Sequence, residues 1–390
     1  MQSKGVILKP GKDKAIRHRH HWIFSGAVQS FPSFKEGDFL PVYASDGQFL
    51  GSGYFNRQSG IVGRMVAFDQ TPPLQKIEQH LLSAWELRKN WFDLNVTNAF
   101  RLINGEGDGL PGLIIDVYDQ VFVIQCSTKG MDKLKPWLVE TLNKHFHPKT
   151  IYEKSLLPSR KEEGLKDEQG FLAGEEKEEV SFKENGLIFT TNLAHSQKTG
   201  FFLDHREMRQ WIGTLAKGKS VLNAFSYTGG FSVYALAGEA QLVDSVDISQ
   251  EAIETAKRHA TLNQLDKQSQ HYYCADVFAF LREHSLDYDL VILDPPAFAK
   301  RQKDIVAACR GYKDINRLAM QKMPARSLLL TCSCSHYVNE DLFQKVLFQA
   351  AWEAKRFVRI IGRHRLAIDH PINLYHPESH YLKSFLLYIE

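Results

Sequence analysis

The chain has 390 residues, 43% hydrophobic and 24% charged, and a net charge of only +3. That is enough for two or three domains with full cores, in an ordinary globular composition. Nucleic-acid binding therefore cannot be argued from the total charge and must come from local clusters, and no apolar run approaches the roughly 20 residues that span a bilayer. Five cysteines without a C-x-x-C pair argue against a disulfide framework or a structural zinc site, no metal is expected, and the opening MQSKGVILKP lacks a signal-peptide core, so the expected place is the cytoplasm.

Residues 1 to about 70 carry short alternating segments with turn signals, such as 38–43, 49–51 and 61–66, which predict a small β-rich module. Its first part gathers Lys12, Lys14, Arg17, His18, Arg19, His20 and His21 before Trp22 and Phe24. A basic run beside aromatics suits a phosphate backbone and stacked bases, but a charge run is more often just a solvated loop, here before a buried Trp, so alone it is a weak signal. Thr71-Pro72-Pro73 punctuates the chain, and Leu74 to Asp93 has helical periodicity. Residues 101–112, RLINGEGDGLPG, read as a glycine-rich turn. Strands 113–117 and 121–125, a helix 131–145 and a strand 150–153 follow, giving an α+β module. Residues 159–179 are a mixed charge run without periodicity, expected to be a mobile connection. Glu184-Asn185-Gly186 then marks a hairpin turn within 180–193, and the dense polar stretch 195–206 suggests a ligand lid or a capped helix start.

From Lys219 the pattern becomes α/β. The stretch 219–247, KSVLNAFSYTGGFSVYALAGEAQLVDSVD, reads as a buried strand, a small-residue turn, a helix and a strand ending in Asp247. Ligands of such units sit beyond the carboxyl strand ends, and an acid about 20 residues on takes the ribose hydroxyls. The turn lacks a full G-x-G-x-x-G, so a nucleoside without a pyrophosphate fits better than a dinucleotide. A plain tight turn with a solvated Asp247 explains the segment as well. Further on, strand 290–293 ends in Asp294-Pro295-Pro296-Ala297-Phe298, whose prolines hold the carboxylate and the aromatic ring on a stiff loop, suited to hydrogen-bonding and stacking a planar heterocycle. A strand over 327–330 ends in Thr331-Cys332-Ser333-Cys334-Ser335-His336, placing two thiols at a strand mouth facing Asp294. A helix 341–353 and a strand 382–388 close the chain.

With NAFSYTGGFS, Asp247, DPPAF and TCSCS in this order, the chain resembles a class I S-adenosylmethionine-dependent methyltransferase. More closely it resembles the ribosomal RNA large subunit methyltransferase I family of RNA cytosine-C5 methyltransferases. RHRHHWIFSGAV and GQFLGSGYFN are similar to that family's N-terminal PUA domain, RLINGEGDGLPGLIID to its middle domain, and QKTGFFLDHREMR, ACRGYKDIN, SCS and HYLK to its catalytic domain. The resemblance implies an α/β protein: a doubly wound, Rossmann-like methyltransferase domain over 187–390, behind a PUA-like RNA-binding domain over 1–70 and an α+β middle domain over 71–186. It implies S-adenosylmethionine as cofactor, held by Asn223, Phe225, Tyr227, Thr228 and Gly229 at the methionine end, Asp247 at the ribose, Asp276 and Val277 at the adenine, and Asp294 with Pro295 between cofactor and base. The implied partner is ribosomal RNA, with Lys198, Arg206, Phe298, Arg17 and Arg19 as substrate contacts, no membrane, and a homodimer left open. Ala297 departs from the wider cytosine-C5 class, which often has a second cysteine there.

C5 of cytosine is too weak a nucleophile to take a methyl group unaided, so a thiolate must first add to C6, with Asp294 stabilising the charge that builds on the ring. Cys334 is expected to be that nucleophile and Asp294 its catalytic partner. The T-C-S signature of the wider class would instead select Cys332, but the pattern of the resembled subfamily, counted back from Asp341-Leu342-Phe343-Gln344, implies Cys334, and Cys332 also belongs more plainly to the apolar strand, where burial keeps a thiol protonated. Two competing readings remain: methylation of a purine nitrogen, which needs no cysteine, and a non-catalytic RNA-binding protein on the same fold.

Overall fold

The computed structural model describes residues 5–266 and 269–390. It divides into two compact units. The first comprises the described residues up to Gly186 together with Thr190–Asp204 and Ile368–Ser379, and the second comprises Leu187–Phe189, His205–Ala367 and His380–Glu390.

The first unit opens with a six-stranded sheet of β1 (Val6–Leu8), β2 (Trp22–Phe24), β3 (Val28–Ser30), β4 (Phe39–Tyr43), β5 (Phe49–Phe55) and β6 (Ile61–Ala67), in the order β2-β6-β5-β4-β1-β3. Part of the basic run is helical: Lys14–Arg17 forms a short helix, α1, whose buried residue, Ile16, reaches the core beside Val6 and Ile23. The helix α2 (Pro73–Trp91) follows, starting on a proline whose missing N–H costs nothing in a first turn. A second sheet holds β7 (Ala99–Asn104), β8 (Leu113–Tyr118), β9 (Val121–Cys126), β10 (Thr150–Ser155) and β11 (Glu168–Gly174), in the order β11-β10-β9-β8-β7. Between β9 and β10 lie α3 (Lys129–Lys133) and α4 (Lys135–Phe146).

Two expectations fail here. Residues 101–104 belong to strand β7, not to a turn; Arg101 is tolerated on it because its guanidinium pairs with the fully buried Asp116 at 2.8 Å. The charge run 159–179 is also ordered, as α5 (Pro158–Glu162) and β11. Arg160, fully buried, donates to the carbonyl of Lys166 at 2.6 Å and to Asp132 at 2.9 Å, while β11 is an edge strand whose open side accepts charge. The hairpin of β12 (Glu179–Glu184) and β13 (Leu187–Asn192) turns through Asn185 and Gly186, both left-handed at φ 50° and 81°, the geometry that Asn-Gly supplies.

The second unit runs α6 (Arg206–Leu215), β14 (Ser220–Ala224), α7 (Gly230–Ala237), β15 (Leu242–Asp247), α8 (Gln250–Leu262), β16 (Gln270–Cys274), α9 (Val277–Glu283), β17 (Leu290–Leu293), α10 (Ile305–Lys322), β18 (Ser327–Ser333), α11 (Glu340–Ala354), β19 (Val358–His364) and β20 (Lys383–Ile389). Its sheet has the order β16-β15-β14-β17-β18-β20-β19, parallel except for β20, which is antiparallel to both its neighbours. The strands are apolar on both sides because both faces are covered: Leu222, Val291 and Leu329 pack under α9, α10 and α11, and Val221, Leu290 and Leu330 under α6 and α7. This is the doubly wound Rossmann-like architecture that the sequence predicts. The strand β18 runs three residues further than its apolar run suggests, and β19 goes unread because, as an edge strand, it is mostly exposed and carries Arg359 and Arg363.

Candidate active site

The chain order reverses between β14 and β17, so a crevice opens beyond their carboxyl ends. After Ala224 the backbone turns through three left-handed residues, Phe225, Tyr227 and Gly229, at φ 62°, 46° and 76°. Such a conformation in bulky side chains costs of order 1–3 kcal/mol each and persists only where the surroundings enforce it. Asp247 enforces it here: one carboxylate oxygen accepts from the N–H of Tyr227 and the other from Ser249, at 2.8 and 2.9 Å. The glycine at 229 is required, since a Cβ there would lie 2.7 Å from Ala256 Cβ. Thr228 gives its carbonyl to the ring of His259 at 2.8 Å.

Two acceptors at the end of β14 and in this turn are buried without a protein partner among the described residues, Asn223 Oδ1 and Ser226 Oγ; the Asn223 amide nitrogen is already spent on Ser232 Oγ at 2.8 Å. An ammonium such as that of a methionine moiety suits such acceptors, and each oxygen of Asp247 keeps a lone pair for a ribose hydroxyl. The residues therefore fit S-adenosylmethionine. The side chain of Asp276 caps α9 by accepting from Ala279 N–H at 2.9 Å, and Val277 beside it is buried in the core. An aromatic row runs from there. Phe225 meets Phe278 at 6.3 Å, Phe278 meets Phe298 at 6.0 Å, and Phe298 meets Tyr312 at 4.6 Å.

At the end of β17, Asp294 points its Oδ2 at His205 Nε2, 3.4 Å away, and the Sγ of Cys332 joins them so that the three reactive atoms lie within 4.8 Å of one another. Cys332 is the sixth residue of β18 and fully buried beside Leu330 and Leu386. Cys334 is the first residue past the strand, partly exposed, with its Sγ 3.7 Å from the carbonyl oxygen of Pro295. Both thiols thus stand at the Asp-Pro-Pro loop, one on Asp294 and one on Pro295. Ser335 anchors the loop between them and the aromatic row, accepting from Ala299 N–H at 3.1 Å and bonding the Tyr312 hydroxyl at 2.9 Å. Burial pushes that phenol up to about 12, so it stays protonated.

Sequence reasoning missed His205, Phe278, Tyr312 and Lys383 as neighbours of this loop. Lys383 sits on β20, 2% exposed, and donates to the carbonyls of Ser335 and Tyr381, both at 2.7 Å. Only the strand pairing of β20 with β18, which no local pattern reveals, brings it here.

Of the expected substrate contacts, Phe298 lies in the aromatic row. Arg206, in the first turn of α6, is 2% exposed, inside the fold rather than on a surface. In the first unit Lys198, left-handed at φ 49°, pairs with Asp204 at 3.1 Å and sits 4.2 Å over the ring of Phe202. Arg17 is held by Asp13 and Gln48, whereas Arg19, also left-handed at φ 63°, is exposed and stacks over Tyr375 at 5.8 Å. Arg19 and Tyr375 line a cavity of about 440 Å³ together with Phe68, Lys76 and His80.

Two family models match the chain, an S-adenosylmethionine-dependent methyltransferase over residues 163–364 and a PUA-like domain over residues 6–68. "Ribosomal RNA large subunit methyltransferase I" of Aliivibrio fischeri is 42% identical over 97% of this chain and 98% of its own length. The protein of the same name in Alteromonas mediterranea is 41% identical over 98% of each. Among solved structures, a protein assigned as a methyltransferase and complexed with SAH superposes with a TM-score of 0.84 at 24% identity, over 98% of this chain and 99% of that one. The turn held by Asp247 and the Asp-Pro-Pro loop thus belong to an S-adenosylmethionine-dependent enzyme, and the chain is a member of the ribosomal RNA large subunit methyltransferase I family.

Proposed function

We propose that the chain transfers a methyl group from S-adenosylmethionine to C5 of a cytosine in large-subunit ribosomal RNA, through a transient bond between Cys334 and C6. The observation that carries this reading is the pair of thiols at the Asp-Pro-Pro loop. Methylation of a nitrogen uses its own lone pair, while C5 needs a thiolate to push electrons into the ring. S-adenosylmethionine supplies the electrophilic methyl group. Cys334 adds to C6, Asp294 stabilises the charge developing around N3, C5 takes the methyl group, and loss of the C5 proton expels the sulfur. The cytosine must leave its stack for this, and Phe298 offers it a ring. The RNA grip falls to residues 1–70 and 71–186, with Arg19 and Tyr375 on the open cavity, and the catalytic work to residues 187–390.

Full burial of Cys332 favours a core role for that residue, and were Cys334 inert as well, purine-nitrogen methylation would be the second reading. Mass spectrometry of ribosomal RNA from cells with and without the protein decides between them. The C5 reading predicts that one 5-methylcytidine disappears from large-subunit RNA. Loss of a methylated purine instead overturns it.

A further inference from the structure

We propose that Lys383 is the counter-cation of Cys334, a buried ammonium that holds this cysteine as a thiolate before RNA arrives. The inference rests on reading Cys334 as the nucleophile. A buried charge needs either a partner of opposite sign or a full set of hydrogen bonds. Lys383 has neither among the described residues: it is 2% exposed, two carbonyls fill two of its three N–H donors, and no carboxylate lies at ion-pair distance. Another buried lysine of this chain shows the contrast. Lys154 fills all its donors with Leu193 O, Ser196 O and Ser196 Oγ at 2.6, 2.6 and 2.8 Å, a purely structural arrangement.

The Nζ of Lys383 is anchored on Ser335, the residue next to Cys334, and β20 brings Lys383 opposite Ser333, the residue before it. The other acid whose field reaches Lys383 is Glu340, whose carboxylate is already committed to Arg363 and Arg365. His380, which feels the charge of Lys383, and Tyr312, which feels that of Cys334, do not compete. Burial lowers His380, leaving it neutral near pH 7, and Tyr312 stays protonated to about 12. Burial pulls Lys383 down to about 8 while the charge of Cys334 pushes it back up. The attraction is mutual, so the ammonium must favour the thiolate. The thiol proton goes to solvent. The sulfur then gives its electron pair to C6, the C5–C6 π pair moves into the ring, C5 takes the methyl group as the sulfonium S–CH3 bond breaks and releases the thioether, and as the C5 proton passes to water, its C–H pair re-forms the C5–C6 double bond and the C6–S pair returns to a sulfur stabilised by the same ammonium.

The test uses the full-length protein and the rate at which iodoacetamide alkylates Cys334, read on its peptide by mass spectrometry, from about pH 6 to about pH 9.5. Lys383→Met and Lys383→Gln should move the midpoint of reactivity up by about one pH unit or more, and Lys383→Arg should leave it in place. Gln retains an N–H donor, which separates charge from hydrogen bonding, and unchanged SAH affinity by calorimetry confirms the fold of each variant. Methyl transfer by the Met variant should fall about tenfold or more near pH 6.5 and recover toward wild type as the pH passes about 9. Equal midpoints in all variants, or an activity loss that pH does not repair, would overturn the proposal. If instead the midpoint moves but Cys334 forms no bond to RNA, the C5 reading fails while the ion pair stands.

Discussion

The mouth of the sheet in the second unit and the basic run at the start of the first both gather polar residues, and they put them to different uses. In the basic run three of the seven side chains are spent on the fold: Arg17 on Asp13, His20 on Glu378 at 3.2 Å, and His21, 3% exposed, on the carbonyl of Met65 at 2.8 Å. At the sheet mouth Asn223 Oδ1, Ser226 Oγ, Thr331 Oγ1 and His205 Nδ1 are buried with no partner among the described residues, and the backbone at Phe225 and Tyr227 is held left-handed. Polar density alone does not mark a site. Buried polar groups without partners, on backbone that the surroundings must hold in place, do.

Single substitutions should therefore cost much at the sheet mouth and little in the basic run. The largest equilibrium effect is expected for Asp247→Ala, which removes the proposed ribose acceptor and also releases the Tyr227 N–H that shapes the turn. Losing such charge-assisted bonds costs on the order of 1.5–3 kcal/mol, roughly ten- to a hundredfold in affinity for S-adenosylmethionine by calorimetry. Unchanged affinity in the folded variant would take Asp247 out of the site. A smaller effect is expected in the basic run, where Arg19→Ala should weaken RNA binding a few-fold and lower the salt slope by about one, while Arg17→Ala, its charge already paired, should leave the slope nearly unchanged. Equal slopes for the two variants would break the contrast between spent and displayed charge.

The sequence made the second unit legible because its strands are buried on both faces and so read as apolar runs, each ending at a polar loop. Asp247 and Asp294 are visible for that reason, one closing β15 and the other following β17 directly. Edge elements escaped for the complementary reason: β7, β11 and β19 can carry Arg101, Glu168 and Arg359 because one side is open or a buried partner meets the charge. His205 and Lys383 escaped because strand order, not spacing, brings them to the thiols. From Asp294 to His205 is a gap of 89 residues, closed only in the folded sheet at 3.4 Å. Even the choice between Cys332 and Cys334 turns on where β18 stops, a boundary that alternation cannot set.

The most direct test of the covalent chemistry uses an RNA substrate carrying 5-fluorocytosine, whose C5 cannot shed its substituent, so that the enzyme stays attached after methyl transfer. Wild type should form an adduct that survives denaturation, Cys332→Ala should retain it, and Cys334→Ala should abolish it. An adduct that persists in Cys334→Ala and vanishes in Cys332→Ala would move the nucleophile to the buried thiol beside His205 and Asp294, and an active wild type that forms no adduct would contradict cysteine-C6 chemistry altogether.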